Sequence, residues 1–148
     1  MNVEIRRIES SDNLTEVAAS IIGKNWSKDN ELNDFDESAL RQVVENPETI
    51  LLIAYANEKP VGMVRAVKVL RPDGEHWLLV DELDTHPDYR QQGIATKLMK
   101  KIFDYAKEWK LDEVWLGTET DNQPANELYK SLNPTEIEET IGYTFRPH

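Results

Sequence analysis

The segment from His76 to Thr118 constrains the fold of this chain more than any other part of the sequence. It runs from an apolar stretch, HWLLVDELDT, through the polar turn HPDYRQQG into a long amphipathic stretch and then a second apolar stretch, DEVWLGT. This pattern predicts a strand, a helix from Ile94 to about Lys110, and another strand. Such a crossover joins two parallel strands of one sheet.

The remaining sequence predicts a mixed sheet around this crossover. Periodicity and turn residues indicate strands at 3–9, 49–57 and 61–70, one or two closing strands within 135–145, and helices at 14–22, 37–45 and 122–132. Ser11 or Asp12 is the predicted cap of the first helix. The predicted order is β-α-α-β-β-β-α-β-α-β. We therefore expect an α/β (α+β) fold in a single domain over residues 1–148, with a mixed, mostly antiparallel central sheet flanked by helices.

Composition narrows the classes of function. The formal net charge of −11 repels phosphate backbones, so we expect no nucleic-acid partner. The absence of cysteine excludes a thiolate nucleophile, and no His-His or His-Glu spacing indicates a metal site. No uncharged apolar run approaches the ~18 residues that span a membrane. The charged N-terminal stretch predicts no signal peptide, and hence a cytoplasmic protein.

Gly93 stands at the predicted junction of strand and helix. The first backbone N–H groups of a helix lack intrahelical partners, and the helix dipole adds positive charge there. The stretch RQQGIA is therefore chemically suited to hold a phosphate or pyrophosphate. The alternative is that Gly93 only permits a tight turn. The sequence contains neither GxxxxGK[ST] nor GxGxxG, so a P-loop and a dinucleotide fingerprint are both excluded.

Two stretches in the second half resemble conserved parts of one family. LDTHPDYRQQGIATKLMKKIFDYAK resembles motif A of the GNAT superfamily of N-acetyltransferases, in which Arg90, Gly93 and Ala95 fill the fixed positions. TETDNQPANELYKSLN resembles the second conserved stretch of that family. The matching residues there are Asn122, Ala125, Leu128 and Tyr129. Two departures are Gln91-Gln92 in place of basic or small residues, and Leu132-Asn133-Pro134 in place of Leu-Gly-Phe.

The resemblance implies acetyl-CoA as the donor and no metal. In the family, the loop at Gly93 binds the pyrophosphate, and the pantetheine arm pairs with the backbone of the preceding strand. The residues that the resemblance assigns to the donor are Leu83, Asp84, Thr85, Arg90, Gln91, Gln92, Gly93, Ile94, Ala95, Thr96, Asn122 and Ala125. It also implies that a gap between this strand and the next admits the thioester.

The acceptor amine must lose a proton, and a carboxylate with a raised pKa could take it directly or through water, with water itself as the other candidate base. Glu82, in the strand that enters the site, is the first candidate, and Asp81 and Asp84 are rivals. Strand alternation predicts Glu82 and Asp84 on one face and Asp81 on the other, although a bulge would swap the faces beyond it. The alternative is that these three acids line a solvated strand end.

Tyr129 matches the general acid of the family, which would protonate the leaving thiolate. The alternative is a core aromatic residue, because Tyr129 lies on an apolar stripe of its short helix. His86 is interpreted as an exposed turn residue rather than a base.

In the family that the sequence resembles, the region between the first helix and the second strand commonly forms one wall of the acceptor site, and here that region contains an acidic stretch. Its acidic residues are Asp29, Glu31, Asp34, Asp36 and Glu37, with Trp26 and Phe35 among them. This wall favours a cationic acceptor of the polyamine or amino-sugar type, and Asp81 is a further candidate contact. The GIAT helix start is also similar to small aminoglycoside 3-N-acetyltransferases. The alternative is a solvated acidic loop.

Three functions remain open at this point. The first is acetylation of a small amine by direct attack in a ternary complex, and the second is acetylation of a protein lysine or N-terminus. The third is a non-catalytic CoA-binding module on the same fold. The sequence leaves the oligomeric state open, with a homodimer among the options.

Overall fold

Residues 2–26 and 32–148 are described by the computed structural model of the chain. The chain divides into two units, residues 1–116 and 117–148, which are described separately. The elements of the first unit are β1 (Val3–Arg7), α1 (Leu14–Ser20), α2 (Gly23–Trp26), α3 (Glu37–Glu45), β2 (Thr49–Ala56), β3 (Lys59–Val69), β4 (Trp77–Thr85), a 3₁₀ turn (Pro87–Tyr89), α4 (Ile94–Glu108) and β5 (Glu113–Trp115). A single domain over the whole chain stays a prediction.

The sheet has the strand order β1-β2-β3-β4-β5, and helices flank it. Its first four strands are antiparallel, whereas β4 and β5 are parallel, which confirms the predicted crossover. The parallel ladder extends only from Trp77 paired with Glu113 to Leu79 paired with Trp115. Because β4 continues to Thr85, its carboxyl-terminal half runs past the end of this ladder.

A bulge interrupts the pairing of β3 with β4. Arg65 pairs with Glu82 and the next residue, Ala66, pairs with Val80, so Asp81 is the extra residue of β4. A bulge of this kind changes which face of the sheet the following side chains occupy. The bulge that the sequence analysis considered is therefore present at the acidic stretch.

Two apolar layers cover the sheet. On one face, α4 buries Ile94, Leu98 and Ile102 against the strands. On the other face, side chains of α1, α2 and α3 pack with residues of β2 and β3 in one core. Each fully buried Leu or Ile contributes about 1.5–3 kcal/mol, so these two layers hold α3 and the start of α4 in place.

The helix starts depend on side-chain caps. Asp36 caps α3, which has the predicted bounds Glu37–Glu45. The prediction of Ser11 or Asp12 as the cap of α1 is wrong, because Asn13 caps it by accepting from the backbone N–H of Glu16 at 3.2 Å. The Asp12 carboxylate instead accepts from the backbone N–H of Glu9 at 2.7 Å.

The one-turn helix α2 is absent from the predicted order. The backbone N–H of Gly23 donates to Asp34 Oδ1 at 2.8 Å, so a residue eleven positions later supports the start of this helix. A Cβ on Gly23 would overlap the carbonyl oxygen of Leu32, which requires glycine there. Contacts of this range are not visible in local periodicity.

The second unit contains α5 (Gln123–Ser131), and its residues 133–148 form no helix or strand. The predicted closing strand at 135–145 is therefore wrong in this structure. Asn133, at φ 57°, takes the left-handed conformation that commonly follows the end of a helix. Ile141, Tyr143 and Phe145 alternate as in a strand, but they are exposed and the unit offers no second strand to pair with.

Among the helices in residues 2–26 and 32–148, none combines the length and apolar character needed to cross a bilayer. The cytoplasmic location stays a prediction.

Candidate active site

A cavity of about 340 Å³ lies between the sheet and the segment that leads into α3. Asp34, Phe35 and Asp36 line it together with Arg65 and Glu82. The other residues that line the cavity are mostly apolar: Leu32, Asn33, Ala39, Leu40, Val43, Leu51 and Met63. The fold thus brings part of the predicted acceptor wall and the predicted base to one cavity.

Glu82 has an unusual proton affinity for a carboxyl group. Burial raises the pKa of Glu82 to about 7, and the nearby charge of Asp84 and a hydrogen bond with Asp84 act in the same direction. Arg65 opposes this shift by favouring the carboxylate. Glu82 and Asp84 therefore lie on one face, as alternation predicts, and Glu82 can both hold and release a proton near neutral pH.

The Arg65 guanidinium is bound mainly by Asp81. Arg65 Nη2 lies 2.7 Å from Asp81 Oδ2, and Arg65 Nε donates to Asp81 Oδ1 at 3.0 Å. The distance from Arg65 Nη2 to Glu82 Oε2 is 3.9 Å. Strand alternation predicts that Asp81 and Glu82 lie on opposite faces of the sheet. That prediction is wrong, because the bulge at Asp81 brings both carboxylates to the Arg65 guanidinium. Sequence reasoning missed Arg65, although a lone arginine inside the apolar strand VGMVRAVKVL is a usable signal.

Two acids of the predicted acceptor wall support the backbone. Asp34 accepts from the N–H of Gly23, and Asp36 accepts from the N–H of Ala39 at 2.8 Å. Both residues are exposed, and they line the cavity while stabilising α2 and α3. The predicted wall residues Asp29 and Glu31 lie outside the described residues.

Glu37, the last acid of the predicted acceptor wall, is not among the residues that line this cavity. Its carboxylate accepts from Thr15 Oγ1 at 2.6 Å and lies 3.8 Å from Arg41. Within the described chain, these contacts give Glu37 a role in joining α1 to α3.

Trp26 belongs to the core rather than to the wall of the Glu82 cavity. Only 3% of Trp26 is exposed. Its ring meets the ring of His86 edge-on, with 5.9 Å between centroids, and both residues line a second cavity that also includes Lys59. The predicted contact of Trp26 with an acceptor stays a prediction.

The prediction that His86 is exposed is wrong, although its place in a turn is confirmed. His86 is 9% exposed and caps the 3₁₀ turn by accepting from the N–H of Asp88 at its Nδ1. Burial first, and then the charge of Lys59, lowers the pKa of His86. The bulky rings of Trp26 and Tyr89 on either side explain why this turn residue is covered.

The loop at Gly93 is open to an anion. Gly93 begins α4 with φ 80°, and among the described residues no side chain caps this helix end. A Cβ placed on Gly93 would meet no described heavy atom within 4 Å. The first-turn N–H groups, from Ile94 to Thr96, precede the first intrahelical bond, which Lys97 donates to Gly93 O at 3.1 Å. These features fit a pyrophosphate bound by backbone amides.

The polar side chains around this loop are directed back to the protein. Arg90 donates to the carbonyl oxygens of Thr85 at 3.3 Å and of Trp26 at 3.4 Å. Gln92 Nε2 donates to Asp88 O at 3.4 Å. Gln91 has φ 60°, a left-handed conformation that few residues other than glycine adopt. Phosphate binding here would therefore depend mainly on backbone N–H groups.

The donor-strand residues predicted from Leu83 to Thr85 form the end of β4. They pair with Val64, Met63 and Gly62 of β3, and they lie beyond the last pair of the β4–β5 ladder. The ladder with β5 therefore does not extend to the part of β4 that the sequence assigns to the pantetheine arm.

The remaining predicted residues lie in the second unit. Asn122 caps α5 by accepting from the N–H of Ala125 at 3.3 Å, so both have a structural role in the start of this helix. Tyr129 lies in the last part of α5 and is half-buried. The roles of these three residues toward acetyl-CoA stay predictions.

Comparison with known proteins identifies the family. The open five-stranded sheet flanked by helices matches the fold of solved acetyltransferase structures. Residues 11–133 match the model of the Acetyltransferase (GNAT) family. The chain therefore belongs to this family, as the two sequence stretches predicted.

Individual relatives agree with this assignment. An uncharacterized N-acetyltransferase of Methanocaldococcus jannaschii is 30% identical over 105 residues, which cover 68% of this chain and 46% of the relative. The chain thus spans about half the length of that curated relative.

Solved structures share the fold at low identity. An aminoglycoside acetyltransferase from an uncultured soil metagenomic sample, in complex with sisomicin, has a TM-score of 0.85 at 17% identity and covers 99% of this chain and 97% of its own. AAC(6')-Iy, in complex with a bisubstrate analogue of CoA and acetylneamine, has a TM-score of 0.78 at 18% identity over 99% of both chains. The similarity to 3-N-acetyltransferases in particular stays a prediction.

Proposed function

We propose that this protein moves an acetyl group from acetyl-CoA to the primary amine of a small cationic molecule, by direct attack in a ternary complex. The observation that carries this proposal is the Glu82 carboxyl group, whose pKa is raised to about 7 at a cavity beside the donor strand. Structural salt bridges also shift pKa values, but they usually lower those of carboxyl groups.

Acetyl-CoA is the donor that family membership favours. The open amides from Ile94 to Thr96 would hold its pyrophosphate, and the glycine at position 93 would let the phosphates approach the backbone. The end of β4 would pair with the pantetheine arm. When bound, the donor supplies an activated thioester carbonyl carbon.

Glu82 would remove the proton that blocks attack by the amine. An amine with a pKa near ~10 is mostly protonated at pH 7 and has no free electron pair. A carboxylate with a pKa of about 7 is half ionised at that pH and a stronger base than an ordinary glutamate. The amine nitrogen then bonds to the carbonyl carbon, and the carbon–sulfur bond breaks.

Tyr129 is the proposed acid that protonates the leaving thiolate. This role rests on the resemblance of NELYKSL to the second conserved stretch of the family. A thiolate with a pKa near ~8.5 accepts a proton from a hydrogen-bonded phenol without a large barrier. The acetylated amine and CoA are then the products.

The acceptor is proposed to be a polyamine or an amino sugar. Asp34 and Asp36 place two negative charges at the cavity that also contains Glu82, and the whole chain carries a net charge of −11. Such a field attracts cations and raises their local concentration. The complex of a structural neighbour with sisomicin is consistent with an acceptor that carries several amines.

An acetylation screen tests this function directly. The purified protein is mixed with acetyl-CoA and a panel of polyamines, aminoglycosides, amino acids and lysine peptides, and both free CoA and product mass are measured. We expect acetylation of one or more polycations and a rate that falls in Glu82→Gln. Selective acetylation of lysine peptides would instead indicate a protein acetyltransferase. Binding of acetyl-CoA without any transfer would indicate a non-catalytic module.

A further inference from the structure

We propose, on the basis of the function above, that Asp81 is a positioning residue that holds the Arg65 guanidinium away from Glu82 and so keeps Glu82 able to act as the base. The bulge in β4 creates this arrangement, because it inserts Asp81 directly before the residue that pairs with Arg65. Arg65 and Glu82 are cross-strand partners, so the inserted Asp81 competes directly with Glu82 for the guanidinium.

The distances show which carboxylate binds Arg65 more closely. Three contacts of 2.7, 3.0 and 3.2 Å join the Arg65 guanidinium to the two Asp81 oxygens. The nearest contact to Glu82 is 3.9 Å, beyond hydrogen-bond range. Asp81 binds the edge of the guanidinium that carries Nε and Nη2, and Nη2 is also the atom that lies nearest Glu82. Asp81 thus occupies the donors that would otherwise favour ionised Glu82.

The charges that face Glu82 come from three elements. On β3 the facing charge is Arg65, and on β4 the facing charges are Asp81 and Asp84. Across the cavity, the segment before α3 contributes Asp34 and Asp36. The cavity walls from α3 and β2 are uncharged, namely Ala39, Leu40, Val43 and Leu51. Arg65 is therefore the one described cation in the lining of this cavity.

Removing the charge of Asp81 should change the pKa of Glu82 in a defined direction. In Asp81→Asn, Arg65 keeps a hydrogen-bond acceptor but loses its neutralising anion, so its attraction for ionised Glu82 increases. The repulsion between Asp81 and ionised Glu82 also disappears. Both changes lower the pKa of Glu82, whereas Arg65→Gln removes the attraction and raises it. A loss of local structure would not produce shifts of opposite direction in these two variants.

The experiment measures the titration of Glu82 by carboxyl NMR in the protein without ligands. We expect a midpoint of about 7 in the parent. The Glu82 midpoint should be lower by about one pH unit in Asp81→Asn and higher by a similar amount in Arg65→Gln. The double variant should return close to the parent. Asp73→Asn is the matched control, because Asp73 binds Arg71 Nη2 at 3.1 Å in the turn before β4.

Kinetics provide the second readout. The acidic limb of kcat/KM against pH should move with the NMR midpoint in each variant and stay at the parent position in Asp73→Asn. Equal midpoints in the parent, Asp81→Asn and Arg65→Gln would overturn the inference. Midpoints that move as expected in a protein that acetylates no amine would contradict the proposed function and still support the role of Asp81 toward Glu82.

Discussion

A Cβ on Gly62 would lie 2.6 Å from Ile94 Cγ2, so glycine at this position in β3 allows the first turn of α4 to lie against the sheet. Leu98 Cδ1 is also close, at 3.2 Å. Ile94 is fully buried and β-branched, so it cannot rotate away from an added methyl group. The position of the Gly93 loop therefore depends on a glycine that is distant in sequence.

Gly62→Ala should lower the free energy of unfolding by about 1–3 kcal/mol, because the added carbon overfills a packed layer. Urea denaturation measures the change. Gly142→Ala is the matched control, since a Cβ there meets nothing within 4 Å among the described residues. Equal stability of the two variants would show that α4 does not need Gly62.

Gly93→Asp should abolish stabilisation by acetyl-CoA, because a negative side chain would face the incoming pyrophosphate. Thermal melting with and without millimolar acetyl-CoA measures this effect. Gly74→Asp is matched to it, since Gly74 also has a positive φ, of 86°, and open surroundings. We expect an increase in Tm for the parent and Gly74→Asp. The same increase in Gly93→Asp would place the pyrophosphate elsewhere.

The raised pKa of Glu82 predicts that folding stability depends on pH. Between the ordinary value of 4.5 and about 7, the unfolded chain releases this proton while the folded chain retains it. The contribution of Glu82 to stability is therefore full below pH 4.5 and is lost as the pH rises through 7.

Glu82→Gln should remove this pH dependence. The free energy of unfolding of the variant, relative to that of the parent, should therefore increase between pH 5 and 8 by on the order of 2 kcal/mol. Urea denaturation at both pH values tests the prediction. The control is Glu138→Gln, at an exposed position, and its stability should depend on pH as that of the parent does. A Glu82→Gln variant that also follows the parent would mean that Glu82 titrates normally.

Tyr129→Phe should lower kcat ~10²-fold with little change in the Kd for acetyl-CoA, the usual effect of losing a general acid. Steady-state kinetics and calorimetry separate these quantities. Tyr143→Phe, at an exposed tyrosine, should leave both unchanged. Full activity of Tyr129→Phe would assign this residue to packing alone.

The charges of Asp34 and Asp36 should steer a cationic acceptor. Asparagine retains an oxygen that can cap a helix, so the double change to Asn should preserve α2 and α3 while removing two charges. We expect an increased KM for the acceptor, a cost of about 1–2 kcal/mol in kcat/KM and a weaker dependence on salt.

The double variant Asp104→Asn with Glu138→Gln gives the same change in net charge at exposed positions outside the cavity lining. It should retain the parent KM and salt dependence. If the double Asn variant of Asp34 and Asp36 also retains the parent KM and salt dependence, the acidic segment has only a structural role. Neutral acceptors then become the better candidates.

Local signals predicted most elements closely. The helix at 37–45 has the predicted bounds, because a capping aspartate and apolar periodicity both act within a few residues. The parallel pairing of β4 with β5 was also predictable, since a helix between two strands is the usual connection of a parallel pair. The closing strand was not, because an alternating pattern specifies a strand only where a partner strand is present.

The sequence by itself determined the family, the glycine-started helix and the presence of acids at the end of β4, because these features depend on residue type and spacing along the chain. Only the tertiary structure decided that Asp81 binds Arg65, that Glu82 shares a cavity with Asp34 and Asp36, and that His86 is buried. These relationships join residues far apart in sequence. They depend on strand register, on one inserted residue and on packing density, none of which a local pattern specifies.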